Sequence, residues 1–109
     1  NDVKQYPEDS YEKMKEFSLK YDFKFHYLYD STQQVAKDYR AVCTPDIFGF
    51  NKNLQLKYRG RIDSKVVEED NNDIKREMYE AMKLIKETNE GPSNQFNSFG
   101  CSIKWANNE

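Results

Sequence analysis

The stretch AVCTPDIFGF, Ala41–Phe50, sets a Cys, a Thr and a Pro in a row ahead of an apolar run. Proline has no N–H to give to a ladder, so within sheets it stands at the first residue of a strand, at an edge or at a bulge. Here it precedes Ile47, Phe48 and Phe50, and the run reads as a strand led by proline. An X-Pro bond is also the ordinary place for a cis peptide, which bends the chain sharply. Cys43, two residues ahead of Pro45, then lies on that bend.

Downstream, LQLKYRG, Leu54–Gly60, reads as a second strand. Asn51, Lys52 and Asn53 supply a short polar turn in which Asn tolerates positive φ, so the two strands should pair as an antiparallel hairpin. The polar connection DSKVVEEDNN, Asp63–Asn72, ends on a residue suited to cap a helix, and Glu68–Asp70 within it reads as a solvated loop. Ile74, Met78, Ala81, Met82 and Ile85 then form one stripe of a helix that runs to about Asn89 and is stopped by Gly91 and Pro92. Residues 91–109 form a tail whose anchors, Phe96, Phe99, Ile103 and Trp105, argue that it docks.

Upstream, Pro7 with Glu8 and Asp9 opens a helix whose Tyr11, Met14, Phe17 and Tyr21 fall near one face. FKFHYLYD, Phe23–Asp30, alternates aromatic residues with Lys24, His26 and Leu28, the period of a half-buried strand or extended segment. Asp30 or Ser31 can cap the short helix that follows, and Gln33 or Gln34 completes a capping box in either register. Val35, Ala36 and Tyr39 can face its core side. The order is therefore helix, strand, helix, proline-led hairpin, helix and docked tail, an α/β arrangement within one domain.

The chain has 109 residues, of which 15% are aromatic and 33% charged. Its 17 basic and 19 acidic side chains are interspersed, so no basic stripe stands ready to neutralise phosphates, and neither nucleic acid nor a membrane is expected as a partner. No apolar run reaches the roughly 18 residues of a membrane span. The chain opens on Asn1 rather than Met, so its true start is expected upstream. Two cysteines are too few for the framework of a small secreted domain, which favours a reducing, cytoplasmic compartment. One His and two distant Cys offer no metal-ligand spacing, and no cofactor is expected.

Taken together, YPEDS, YLYDSTQQVAKDYRAVCTPDIFGF, LKYRGRID and the terminal FGCSIKW resemble the thioredoxin-like relatives of the peroxiredoxins, the redoxin or thiol peroxidase-like proteins. The resemblance covers nearly the whole chain. It implies a thioredoxin-like fold, a cis bond at Pro45, and antioxidant or thiol-disulfide chemistry with a thiol, disulfide or reductant protein as partner. It also implies that Thr44 and Pro45 bind substrate. Members of this group hold their redox Cys at the start of a helix that follows a central strand, and both elements would precede Asn1. The fold is thus expected to be incomplete at its N-terminus and inactive as it stands, or else to serve as a non-catalytic module that binds a partner. Because a two-stranded sheet is marginal alone, a homodimer or strand exchange is a further expectation.

Cys43 and Cys101 remain the candidate redox thiols. Cys43 is either a resolving thiol or a small, half-buried apolar side chain, and Cys101 either pairs with Cys43 or simply packs. His26 has no Cys, Ser or carboxylate at a catalytic spacing and reads as a structural residue. Arg59 and Arg61 either hold an anionic substrate or pair with acids such as Asp46 and Asp63, and Trp105 anchors the tail.

Overall fold

The computed structural model describes residues 1–65 and 74–106. The capping role expected of Asn72 and the loop expected at Glu68–Asp70 lie outside the described residues. Helices and antiparallel strands mix in an α/β chain that forms two compact units, Asn1–Ala41 with Ile103–Glu109, and Val42–Ser102. No helix among the described residues is long and apolar enough to cross a membrane.

The first unit opens with a short 3-10 turn, Pro7–Asp9, before helix α1, Tyr11–Lys20. Ser10 is the reason for the break: its backbone is extended and its hydroxyl accepts from Lys13 N at 3.3 Å, so the helix starts beyond it rather than at Pro7. Helix α2 is a single turn and a half, Gln34–Asp38. The Asp30 carboxylate accepts from Val35 N at 3.3 Å and Ala36 N at 2.9 Å, satisfying donors that a helix start leaves open. No capping box forms, because Gln33 takes a left-handed φ of 62° and turns its amide elsewhere. Its Nε2 donates to Lys104 O at 3.1 Å, while its Oε1 accepts from Ala106 N at 2.7 Å. Asp2 N also donates to Lys104 O, at 2.7 Å, so both ends of the chain meet in this unit.

The strand expected over Phe23–Asp30 does not form: the chain bends at Phe25 and the segment belongs to no ladder. Its alternation survives as a row of rings. Phe23 stacks on Phe25 at 4.6 Å and meets Tyr27 edge-on at 5.1 Å, while Phe17 of α1 packs on Phe23 at 5.4 Å. A period-2 pattern shows where side chains point, but a strand also needs a neighbour for its backbone.

In the second unit, β1 (Cys43–Thr44) leads through a cis Thr44–Pro45 bond into β2, Ile47–Phe50. β2 pairs antiparallel with β3, Leu56–Gly60, in the register Ile47↔Gly60, Phe48↔Arg59 and Gly49↔Tyr58, with an irregularity after Gly49. Asn51 organises the connection. Its Oδ1 accepts from Asn53 N and Gln55 N, and its Nδ2 reaches Asn89 O at 3.2 Å.

The positive φ falls on neither Asn of the turn but on Leu54, at 60° and 84% exposed. A non-glycine residue there costs about 1–2 kcal/mol of backbone energy, and the Leu54 side chain recovers little by packing. Leu54→Asn is therefore expected to raise stability by about 0.5–1 kcal/mol in urea unfolding; an unchanged or lowered midpoint would contradict this account of the turn.

Helix α3 spans Glu77–Thr88 and ends earlier than Gly91. Asn89 takes φ 67° and donates its N–H to Ile85 O at 2.8 Å, closing the helix by the left-handed route that Asn, after Gly, best tolerates. Ile74 precedes the helix and is exposed, but the rest of the predicted stripe is the buried face: Ala81 and Ile85 join Tyr58 of β3 in the core, with Met78, Met82 and Ile47 packed against them. Gly49 lets the helix come close, since a Cβ there would stand 2.6 Å from Met82 Sδ.

The tail beyond Pro92 docks within this unit as far as Ser102, through hydrogen bonds rather than the expected apolar anchors, since Phe96 and Phe99 are exposed. Gln95 Nε2 donates to Lys57 O and its Oε1 accepts from Arg59 N, both at 2.9 Å, so one side chain mimics a strand partner along β3. Arg61 N then donates to Phe96 O at 3.2 Å. Within this unit the tail ends in β4, Cys101–Ser102, which pairs antiparallel with β1.

Candidate functional site

The residues singled out in CTP and GCS meet on the β1–β4 ladder. Thr44 stands opposite Cys101 and its hydroxyl donates to Cys101 O at 3.5 Å, while Cys43 stands opposite Ser102. Neighbouring residues of a strand face opposite sides. Cys43 and Cys101 therefore project from different faces of the ladder, and both are free thiols. The pairing left open by sequence is not made, and register is the reason.

Thr44, Pro45 and Cys101 are exposed, and Cys43 is half-buried. Its Sγ approaches Pro45 O at 3.8 Å. Burial pushes the Cys43 thiol above its ordinary range and the nearby Asp46 carboxylate pushes it further, with Arg59 offsetting part of this. A reactive thiolate needs the opposite influence, a helix N-terminus or a dominant cation. In peptide mapping after limited alkylation at neutral pH, Cys101 is expected to label first by its exposure. Cys43 should lag, then accelerate as pH rises past the ordinary thiol range, because only there does its thiolate accumulate; equal rates for the two at neutral pH would contradict this.

Sequence reading passed over Asp46 as more than an ion-pair partner, yet it holds the loop in place. Its side chain is only 5% exposed, so the charge must be compensated locally. Val42 N donates to Oδ2 at 3.3 Å across the turn, and Arg59 Nη2 stands 3.5 Å from the same oxygen. The Ser98 hydroxyl lies 2.7 Å from Oδ1 and equally close to Gly60 O. One carboxylate thus joins the proline loop, β3 and the tail. The available signal was its place directly after Pro45 in TPD, followed by an apolar strand with an Arg on its partner.

The remaining candidates are engaged elsewhere. Arg59 lies 5.0 Å over the Phe48 ring, its cross-strand neighbour. Arg61 forms a two-pronged bond from Nε to Glu77, at 2.9 and 3.0 Å, rather than pairing with Asp63, and stacks on Phe96 at 4.8 Å. His26 is exposed in the first unit, to which Trp105 also belongs, with Lys37 Nζ 5.6 Å from the centre of the Trp105 ring. Among the described residues, no group of three or more His, Cys, Asp or Glu could hold a metal ion. A cavity of about 330 Å³ opens between Tyr58, Glu77, Ala81, Leu84 and Pro92, and none of Cys43, Thr44, Pro45 or Cys101 lines it.

No family model matches the chain, and no curated protein does. Among solved structures, the chain is similar to an uncharacterized conserved protein from Geobacillus kaustophilus, with 42% identity and a TM-score of 0.89 over 97% of this chain and 56% of that one. It is similar also to a hypothetical protein from Sinorhizobium meliloti, with 31% identity and a TM-score of 0.90 over 97% of this chain and 58% of that one. The chain spans somewhat more than half the length of these two structures.

Proposed function

We propose that these residues are the carboxy-terminal part of a thioredoxin-like thiol peroxidase or thiol-disulfide oxidoreductase of the redoxin group, whose attacking Cys stands outside residues 1–109. The observation that carries this reading is the exposed Thr44–Pro45 pair, flanked by two free thiols on a single two-stranded ladder. In this reading Thr44 and Pro45 shape the surface that a substrate meets, and Cys43 lines it. The attacking thiolate takes the terminal oxygen of a peroxide, forming a sulfenic acid and releasing an alcohol or water. A second thiol then attacks that sulfur, releasing water and leaving a disulfide, which an external dithiol reduces.

A second reading has one observation in its favour: Cys43 is held protonated by burial and by Asp46, which suits a structural thiol in a non-catalytic thioredoxin-like module. Peroxide consumption with dithiothreitol as reductant separates the two. The 109-residue chain is expected to show no turnover above background, and the longer polypeptide that the catalytic reading requires is expected to show it. Inactivity of both favours the module. Turnover by the short chain that is lost in Cys43→Ser overturns the placement of the attacking thiol.

A further inference from the structure

The cavity of about 330 Å³ in the second unit serves neither the two thiols nor the proline loop. Three parts of the chain build it. β3 supplies the buried ring of Tyr58, α3 supplies Glu77, Glu80, Ala81 and Leu84, and the tail supplies Pro92 and Asn94. The four helical positions recur at three and four residues, so they share one strip of α3. Tyr58, Ala81, Leu84 and Pro92 make the walls largely apolar, and the volume falls at the lower end of small-molecule sites.

The polar groups of the lining differ in how they are satisfied. Glu77 is already compensated, since Arg61 donates through Nε at 2.9 and 3.0 Å and its Nη2 stands 2.7 Å from Oε1. Glu80 is not: among the described residues, no hydrogen bond or ion pair reaches its carboxylate. Arg76, one turn earlier and at a spacing that can bridge to Glu80, lies instead 4.5 Å from the centre of the Tyr79 ring. The Asn94 amide likewise has no partner among the described residues. Apolar walls thus meet one uncompensated negative charge and one neutral amide, and a charge bordered by low-dielectric walls attracts its opposite more strongly than one on open surface.

We propose that this cavity binds a small organic monocation, a primary ammonium carried on an apolar body such as an aromatic ring. The body lies against Tyr58, Ala81, Leu84 and Pro92. The ammonium has three donors and no acceptor, and the Glu80 carboxylate and the Asn94 carbonyl oxygen receive them. A metal ion does not suit the lining, because no group of three His, Cys, Asp or Glu among the described residues could hold one. The inference does not rest on the redox reading: none of Cys43, Thr44, Pro45 or Cys101 lines the cavity, and an inactive protein would leave it standing.

Amide chemical shifts test it on the protein at the length its own cell makes, with three probes that share a ring: 2-phenylethylamine, 2-phenylethanol and 3-phenylpropionate. Salt at about 0.15 M screens attraction to scattered surface charges. The amine is expected to shift amides of Tyr58, Glu77–Leu84 and Asn94 saturably, with the alcohol about 10-fold weaker and the anion without effect. Glu80→Gln, at an exposed helix position that leaves the core untouched, should weaken the amine about 10-fold and leave the alcohol unchanged. Glu87→Gln, an exposed acid of the same helix outside the cavity, should change neither. Binding of the anion as tight as that of the amine overturns the proposal, as does a Glu80→Gln variant with unaltered affinity. Equal losses in Glu80→Gln and Glu87→Gln would show attraction to the helix surface in general and overturn it too. So would the absence of any saturable shift below about 20 mM amine, a weakness beyond that expected of a well-fitted probe of this size.

Discussion

Replacing Tyr58 with alanine is expected to cost about 3–5 kcal/mol of folding stability, the range for removing a buried aromatic ring from a core. Tyr58 is the largest fully buried side chain among the described residues, and only Ala81 and Ile85 share its degree of burial among hydrophobic residues. With so small a core, neighbouring side chains have little capacity to close over the cavity. The hydroxyl adds a specific bond, donating to the Arg61 carbonyl at the point where β3 ends. Tyr58→Phe should therefore cost only about 1 kcal/mol. Urea unfolding measures both, and a loss below 1 kcal/mol for the alanine variant would show that this core does not hold the second unit together.

Alkaline stability gives Tyr58 a separate signature. Burial raises its hydroxyl above the usual range, the Glu77 charge raises it further, and Arg61 offsets part of this. A group whose proton is held more tightly when folded contributes its full stability below the unfolded value and loses it as pH rises through the folded one. The window opens above about pH 10, the ordinary tyrosine value. The fall of stability with pH in that window should be shallower in Tyr58→Phe than in the parent.

Gly100→Ala is expected to cost about 2–4 kcal/mol and to loosen the candidate site at the same time. A Cβ on Gly100 would collide with the carbonyl oxygen of Thr44, and that neighbour is backbone, which cannot swing aside as a side-chain tip does. The β1–β4 ladder has only two residue pairs, so displacing β4 unpairs Thr44 from Cys101 and Cys43 from Ser102. The half-buried Cys43 should then alkylate faster, whereas Cys101, already exposed, should change little. Unfolding and peptide mapping together distinguish this from general destabilisation: if Cys43 labelling rises no more than that of Cys101, the tail does not shield the thiol.

Several features were legible because they depend on local chemistry. Pro45 announces the start of β2, the Met78–Ile85 part of the expected stripe identifies the buried face of α3, and the polar Asn51–Asn53 run gives the hairpin. The Asp30 capping role was visible as a side-chain type in the right place. Others depended on which residue, among chemically equivalent ones, the surroundings had left available. Gln33 looked like a capping-box partner, but it found carbonyl and amide groups of residues 104 and 106 instead, and no local rule anticipates a partner some seventy residues away. Leu54 took the left-handed position that either Asn suits better, because Asn51 was occupied in bonding to the turn and to the end of α3.

By itself, then, the sequence determined the three helices, the proline-led hairpin and the buried face of α3, since periodicity, proline and caps act within a few residues. Tertiary structure alone decided that Phe23–Asp30 stays out of any ladder, that Asp46 ties three segments together, and that Cys43 and Cys101 lie on adjacent strands yet face apart. Each of these turns on a pairing between distant segments, and a slip of one residue in that pairing reverses the face of every side chain.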